Sequence, residues 1–135
     1  MDRISKTEAF GVLLSACPGA HKGWEDHLLE WQGEEVHYLG MSVFAQHTIN
    51  LWARYETESF PEVFSAIERL IVEGDAEVRG LAIVGFLEHL QNNVPYKSLC
   101  PWLKPTSRAA WRELEELWAG ENSLADVIRK IRSRD

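Results

Sequence analysis

FPEVFSAIERLIVEGDAEVRGLAIVGFLEHLQN, residues 60–92, is the stretch that decides the fold. Its apolar residues recur with the period of an α-helix on both sides of a short break at Glu73-Gly74-Asp75. The second half contains an uncharged run at residues 81–87, and a helix that is apolar on nearly every side must lie among other helices. The stretch therefore predicts two consecutive helices, the second of them at the centre of an all-α domain.

The ends of these two helices are also predicted. Ser59 is expected to be the N-cap of the first helix, and Asp75 is expected to cap the second. Gly74 is expected to adopt the left-handed conformation that commonly closes a helix. The segment 75–82 resembles the start of an inner helix of a HEAT-type repeat, so one or two HEAT-like helix pairs are expected inside a compact domain.

Similar patterns along the rest of the chain predict about seven helices and no strand. Ser5 and Glu8 have the spacing of a capping box, and a last helix is expected from about Ser123. The length of 135 residues suits one domain, residues 1–135. Another predicted helix ends near Tyr55, and its apolar stripe comprises Met41, Phe44, Ala45, Thr48, Trp52 and Tyr55.

The composition excludes a membrane protein. No apolar run approaches the roughly 20 residues that span a bilayer, and the first ten residues lack the apolar segment of a signal peptide. We therefore expect a cytoplasmic protein with no membrane partner. Its two cysteines, Cys17 and Cys100, are then expected to be free thiols.

Charge is distributed unevenly along this chain, whose net charge is −7. Residues 22–77 contain three Lys or Arg against twelve Asp or Glu, whereas residues 123–135 are net basic. An acidic surface repels phosphates and attracts basic proteins, so nucleic acid is not an expected partner. The residues expected to contact a basic partner are Glu30, Glu34, Glu35, Glu56, Glu58 and Glu62.

The sequence contains no established catalytic or metal-binding motif. It has no glycine-rich phosphate loop, no nucleophile elbow and no His-x-x-x-His pair. We therefore predict no enzymatic activity, no cofactor and no bound metal. An active site would require a pocket that gathers His37, His47 or His89 with two or more carboxylates.

A set of residues spread over most of the chain forms a recognisable pattern. It comprises Ala16-Cys17-Pro18, Trp24, Leu28 and Trp31, Phe60-Pro61-x-Val63-Phe64-x-x-Ile67-Glu68-Arg69-Leu70, Glu73-Gly74-Asp75, Leu81-Ala82-x-x-Gly85-Phe86-Leu87-Glu88-x-Leu90-Gln91-Asn92, and Trp111 with Trp118-x-Gly120-Glu121. This pattern resembles a family of small bacterial proteins of uncharacterised activity. The resemblance implies a single-domain cytoplasmic protein similar to those found beside polymorphic or contact-dependent toxins, and it implies no catalytic residue.

These inferences predict one of two kinds of binding protein. The first is an immunity protein that covers the basic site of a cognate toxin, such as a nuclease or another nucleotide-handling toxin, with its acidic surface. The alternative is a helical adaptor or scaffold that binds a peptide or a partner helix in an apolar groove. The two hypotheses differ in the salt dependence of binding, because salt screens exposed charges but not apolar contacts.

Overall fold

The computed structural model describes residues 3–30 and 37–118. These residues form seven helices and no strand, which confirms the all-α prediction for this part of the chain. The predicted helix from Ser123 lies outside the described residues. The helices are α1 (Lys6–Ala16), α2 (His21–Glu30, after a 3₁₀ turn at Pro18–Ala20), α3 (His37–Ala53), α4 (Phe60–Glu73), α5 (residues 76–91), α6 (Tyr96–Leu99) and α7 (Pro105–Trp118).

Helix α5 changes its hydrogen-bond register in the middle. It begins as an α-helix at Ala76–Gly80, continues as a π-helix at Leu81–Leu87 and returns to an α-helix at Glu88–Gln91. In a π-helix each N–H bonds to the carbonyl five residues earlier, as the Glu88 N–H does to the Ile83 oxygen. The predicted central helix is therefore confirmed, with a π segment that the apolar pattern did not predict.

The core is built around this π segment, which packs against α3, α4 and α7. Phe86 of the π segment meets Phe64 of α4 edge-on, with ring centroids 6.1 Å apart. Phe10 of α1 stacks on Trp24 of α2 at 4.5 Å and lies 6.1 Å from Phe44 of α3. All five rings belong to one continuous buried cluster, so the described helices share a single core.

The two ends of α4 differ from their predictions. Ser59 occupies the predicted N-cap position, but its side chain makes no capping bond to the start of the helix. Gly74 has φ −73° and ψ 156°, an extended conformation, so the predicted left-handed closure is wrong. Glycine is needed here for space, because a Cβ would overlap the Leu70 carbonyl oxygen and lie 2.5 Å from Cγ1 of Val78. Asp75 does cap α5 as predicted, and its Oδ1 accepts the Val78 N–H at 2.9 Å.

The residues before α1 are tied to the corner between α4 and α5. The Ile4 N–H donates to the Glu73 oxygen at 2.9 Å, and the Ile4 oxygen accepts the Asp75 N–H at 3.0 Å. The Ile4 side chain is buried in the core. Ser5 and Glu8 form the predicted capping box at the start of α1. The start of α1 and the corner are therefore held together by backbone hydrogen bonds as well as by burial.

Candidate functional site

The structure separates the acidic residues that were predicted to contact a partner. Three of them, Glu56, Glu58 and Glu62, are exposed around the connection from α3 to α4, and we call these three residues the acidic loop. Glu30 is exposed at the end of α2. The other two, Glu34 and Glu35, lie outside the described residues.

Glu30 lies at the opposite end of α3 from the acidic loop. It borders a hollow of about 310 Å³ together with Leu39 and Ser42 from the first turns of α3. Glu56 follows the last turn of the same helix, and its N–H bonds to the Leu51 oxygen. The part of α3 between Leu39 and Leu51 spans roughly 18 Å at about 1.5 Å per residue. Within the described part of the chain, Glu30 and the acidic loop are therefore separated by most of the length of α3.

Four other carboxylates among residues 22–77 take part in helix caps or ion pairs. Glu68 of α4 caps α7, because its two carboxylate oxygens accept the N–H groups of Thr106 and Ser107 at 3.0 and 2.8 Å. The other three are Asp75, which caps α5, Glu73, which pairs with Arg69 at 3.4 Å, and Glu77, which pairs with Lys6 at 2.7 Å. No hydrogen bond or ion pair joins the acidic-loop side chains to another described residue. Glu62 lies in the first turn of α4, where its charge suits the helix dipole. The acidic loop therefore carries three exposed charges that are not bonded to another described side chain or backbone group.

Tyr55, beside the acidic loop, combines an unfavourable backbone conformation with an exposed side chain. Its φ is 61°, in the left-handed region, and it is 92% exposed, so its predicted place on the apolar stripe of α3 is wrong. Tyr55 closes α3 in a Schellman motif, in which its N–H bonds to the Trp52 oxygen and the Glu56 N–H bonds to the Leu51 oxygen. A side chain in this conformation costs roughly 1–2 kcal/mol, which is why glycine is usual here. A residue that costs stability without packing in return is a candidate for function.

Tyr55→Gly is expected to raise the free energy of unfolding by about 1 kcal/mol, because glycine adopts the left-handed conformation freely and almost no packing is lost. Tyr55→Ala is the matched control, since it removes the ring but keeps a Cβ in the strained conformation. Its expected change is within about 0.5 kcal/mol. Urea unfolding followed by circular dichroism measures both variants, and equal stabilities would contradict the assignment of strain to Tyr55.

A second candidate site is a cleft of about 440 Å³ between the start of α2, the middle of α3 and the end of α5. Polar side chains converge on it from two helices, and none of the described residues that line it is acidic. The backbone approaches closely at Gly19, in the 3₁₀ turn before α2, and at Gly23 in the first turn of α2. The polar lining residues are Ser42, Gln46, His47 and Asn50 from α3 and His89 from α5.

A chain of hydrogen bonds crosses from α5 to α3 along this cleft. His89 Nε2 lies 3.2 Å from Gln46 Oε1, and because an amide oxygen only accepts, Nε2 is the donor. Gln46 Nε2 donates in turn to Asn50 Oδ1 at 3.0 Å. The chain thereby fixes the orientation of the Asn50 amide, whose two N–H donors have no acceptor among the described residues.

His47 also lines the cleft, close to the backbone of Gly19. A Cβ on Gly19 would lie 3.0 Å from His47 Nε2. Burial, and to a smaller extent the positive charge of Arg54, lowers the pKa of His47 below its ordinary value of 6.5. At neutral pH the His47 ring is therefore uncharged, with one nitrogen as donor and the other as acceptor.

The lowered pKa of His47 is expected to make the free energy of unfolding depend on pH. In the unfolded chain the pKa returns toward 6.5, so the unfolded state binds the proton first as the pH falls, and stability is lost through that range. Urea unfolding at about pH 7.5 and about pH 5.5 should show a smaller loss for His47→Gln than for the wild type. His21→Gln, which changes an exposed histidine of α2, should follow the wild type. Identical losses in the wild type and His47→Gln would contradict the effect.

An active site was expected to need a pocket that combines histidines with two or more carboxylates, and the cleft has only the histidines. It brings His47 and His89 together, but no carboxylate joins them among its described lining residues. Across residues 3–30 and 37–118, no group of three His, Cys, Asp or Glu side chains is arranged to hold a metal ion. The sequence did not predict the meeting of these two histidines, because it depends on the packing of α5 against α3 and on the π register.

Comparison with known proteins assigns the chain to a family. Residues 10–119 match the family model described as "Domain of unknown function (DUF7674)". The match covers most of the chain, so the protein belongs to this family. Its description names no activity, and a link to toxins stays a prediction. No curated protein and no solved structure matches the chain. In the described parts of the chain, no helix has both the length and the hydropathy needed to cross a bilayer.

Proposed function

We propose that this protein binds and neutralises a cognate bacterial toxin, and that Tyr55 and the acidic loop are its principal contact surface. The observation that carries the proposal is an almost fully exposed tyrosine beside three exposed glutamates whose side chains make no hydrogen bond or ion pair with a described residue. Tyrosine is enriched at the energetic centres of protein interfaces, because its ring buries a large apolar area while its hydroxyl can hydrogen-bond. Charged groups around such a ring suit the polar rim of an interface.

The charge of the acidic loop favours a basic partner. Toxins that cleave nucleic acids or act on nucleotides need Lys and Arg side chains to bind phosphate. An acidic protein is steered toward such a site and associates with it faster than a neutral one. In this proposal the acidic loop occupies the phosphate-binding site and excludes the substrate. Glu30, at the far end of α3, adds to the long-range attraction rather than to the contact.

Co-expression tests the proposal in cells. Each candidate toxin domain found in a neighbouring gene is expressed with the wild type or with the triple variant Glu56→Gln, Glu58→Gln, Glu62→Gln. We expect the wild type to restore growth and the triple variant to restore it poorly. Failure of the wild type to rescue growth, together with the absence of a complex, would contradict the proposal.

A matched triple variant separates the acidic loop from net charge. Glu25→Gln, Asp26→Asn and Glu30→Gln remove the same three charges from exposed positions on α2. We expect this control to rescue growth nearly as well as the wild type, because it leaves the loop intact. If both triple variants fail equally, overall charge rather than the acidic loop is responsible for binding.

The salt dependence of binding distinguishes this proposal from a helical adaptor. The association rate constant with the purified toxin domain is expected to fall about tenfold or more between roughly 50 and 300 mM salt, because ions screen the attraction. Tyr55→Ala is expected to weaken affinity by about tenfold through faster dissociation. Affinity that is unchanged by salt would instead favour an adaptor that binds an apolar segment.

A further inference from the structure

We propose that the cleft between α2, α3 and α5 binds the oxyanion of a small molecule, a phosphate or a carboxylate group. This site is separate from the acidic loop, and the inference does not depend on toxin binding. A volume of about 440 Å³ is large enough for a small ligand. Polar side chains from two helices converge on this volume beside the backbone of a third, which is the usual arrangement of a binding pocket.

The π segment of α5 is what turns His89 toward the cleft. Each π turn contains about one residue more than an α turn, and one extra residue rotates everything after it by about 100°. In an uninterrupted α-helix, His89 would therefore face another side of α5, and its bond to Gln46 would be lost. A π-helix is a rare element that is frequently found at functional sites. Here the π segment ends at Leu87, two residues before His89 of the cleft, so its register sets the direction of that side chain.

The hydrogen-bonding groups of the cleft favour an acceptor as the ligand. Asn50 presents two N–H donors whose orientation is fixed by the bond from Gln46. His47 supplies one more N–H donor, because its ring is neutral but still carries one proton. An oxyanion has several lone pairs and could accept from all of these groups together.

The charges around the cleft agree with an anionic ligand. None of its described lining residues is Asp or Glu, although the chain as a whole is acidic. Arg54 lies near enough to His47 to lower its pKa. The start of α2 lines one side of the cleft, and the positive end of its dipole adds to the same field. No carboxylate of the described lining would therefore repel a bound anion, although Asp26 and Glu30 border the adjoining hollow that shares Ser42 with the cleft.

Titration with two simple oxyanions tests the site directly. Inorganic phosphate or acetate is added to the full-length protein near neutral pH, with sodium chloride keeping the ionic strength constant. The ring resonances of the histidines are followed by NMR. We expect saturable shifts of His47 and His89 with a dissociation constant in the millimolar range or below, while His21 stays unchanged. Saturation by phosphate alone or by acetate alone identifies which oxyanion the cleft takes, and saturation by neither overturns the proposal.

A pair of matched variants separates binding in the cleft from general charge effects. Asn50→Asp replaces the two N–H donors by a negative charge without changing the size of the side chain, and we expect it to weaken binding at least about tenfold. Asn92→Asp introduces the same charge at an exposed position beyond the end of α5, and we expect less than about a twofold change. Circular dichroism confirms that both variants fold. Equal weakening in the two variants would overturn the assignment of the anion to the cleft.

Discussion

Gly74→Ala is expected to lower the free energy of unfolding by about 3 kcal/mol or more. The backbone angles of Gly74 suit alanine, so the loss would come from collision rather than from conformation. The new Cβ would overlap the Leu70 oxygen, which accepts the Gly74 N–H at 3.0 Å, and would press against Val78. Val78 cannot move easily, because its own N–H bonds to the cap Asp75. Relief of the collision would therefore require α4 and α5 to separate.

Gly11→Ala is the control for this substitution. Gly11 is an exposed residue of α1, and a Cβ there would meet nothing within 4 Å. We expect this variant to be more stable than the wild type by about 0.5–1 kcal/mol, because alanine loses less conformational freedom in a helix. Urea unfolding followed by circular dichroism compares the two variants. A Gly74→Ala protein within about 1 kcal/mol of the wild type would show that the corner relaxes at little cost.

Trp111→Ala is expected to destabilise the protein by about 3–5 kcal/mol, the range for removing a large aromatic side chain from a core. Trp111 of α7 is 1% exposed, and its ring centroid lies 6.0 Å from that of Tyr96 in α6. Its indole N–H donates to Glu115 Oε1 at 2.7 Å, and its backbone oxygen accepts from Gln91 of α5. Alanine would leave a cavity where three helices meet.

Two further variants show how much of this loss comes from the cavity. Trp111→Phe keeps a ring in the core but removes the bond to Glu115, so we expect a loss of about 1–3 kcal/mol. Val72→Ala changes a half-exposed residue of α4 and should alter stability by about 0.5 kcal/mol or less. Urea unfolding measures all three. A Trp111→Ala variant as stable as Val72→Ala would contradict the central place of Trp111 in the core.

Helix ends could be predicted from the sequence where the responsible contact is local. The capping box at Ser5 and the cap at Asp75 each join residues three apart, so a short sequence pattern contains the whole interaction. Gly74 was interpreted wrongly for the opposite reason. Glycine is usual at helix ends because of its left-handed conformation, but here it is required by the crowding of two helices that meet in three dimensions. The π register of residues 81–87 was also unpredictable, since an all-apolar run can be buried in either register.

The candidate sites were harder to predict than the helices. The sequence gives no sign that Glu68 has a structural role, whereas in the structure it accepts the N–H groups of Thr106 and Ser107 at the start of a distant helix. Only such long-range contacts show which carboxylates are left for a partner. Tyr55 fits the period of α3 in the sequence, yet α3 ends before it, and its side chain is exposed. The packing of the helices, rather than the periodicity of the sequence, therefore shows which residues are exposed and available for binding.

The attachment of Ile4 to the α4–α5 corner bears on how this domain can be cut for recombinant work. The family match begins at Phe10, which lies inside α1. A fragment trimmed to that boundary would lose the capping box and both backbone hydrogen bonds of Ile4. Protease sites or affinity tags are therefore better placed before Arg3 than at the family boundary. A domain trimmed at Phe10 would begin inside α1 without its cap, and the α4–α5 corner would lose its contacts with Ile4.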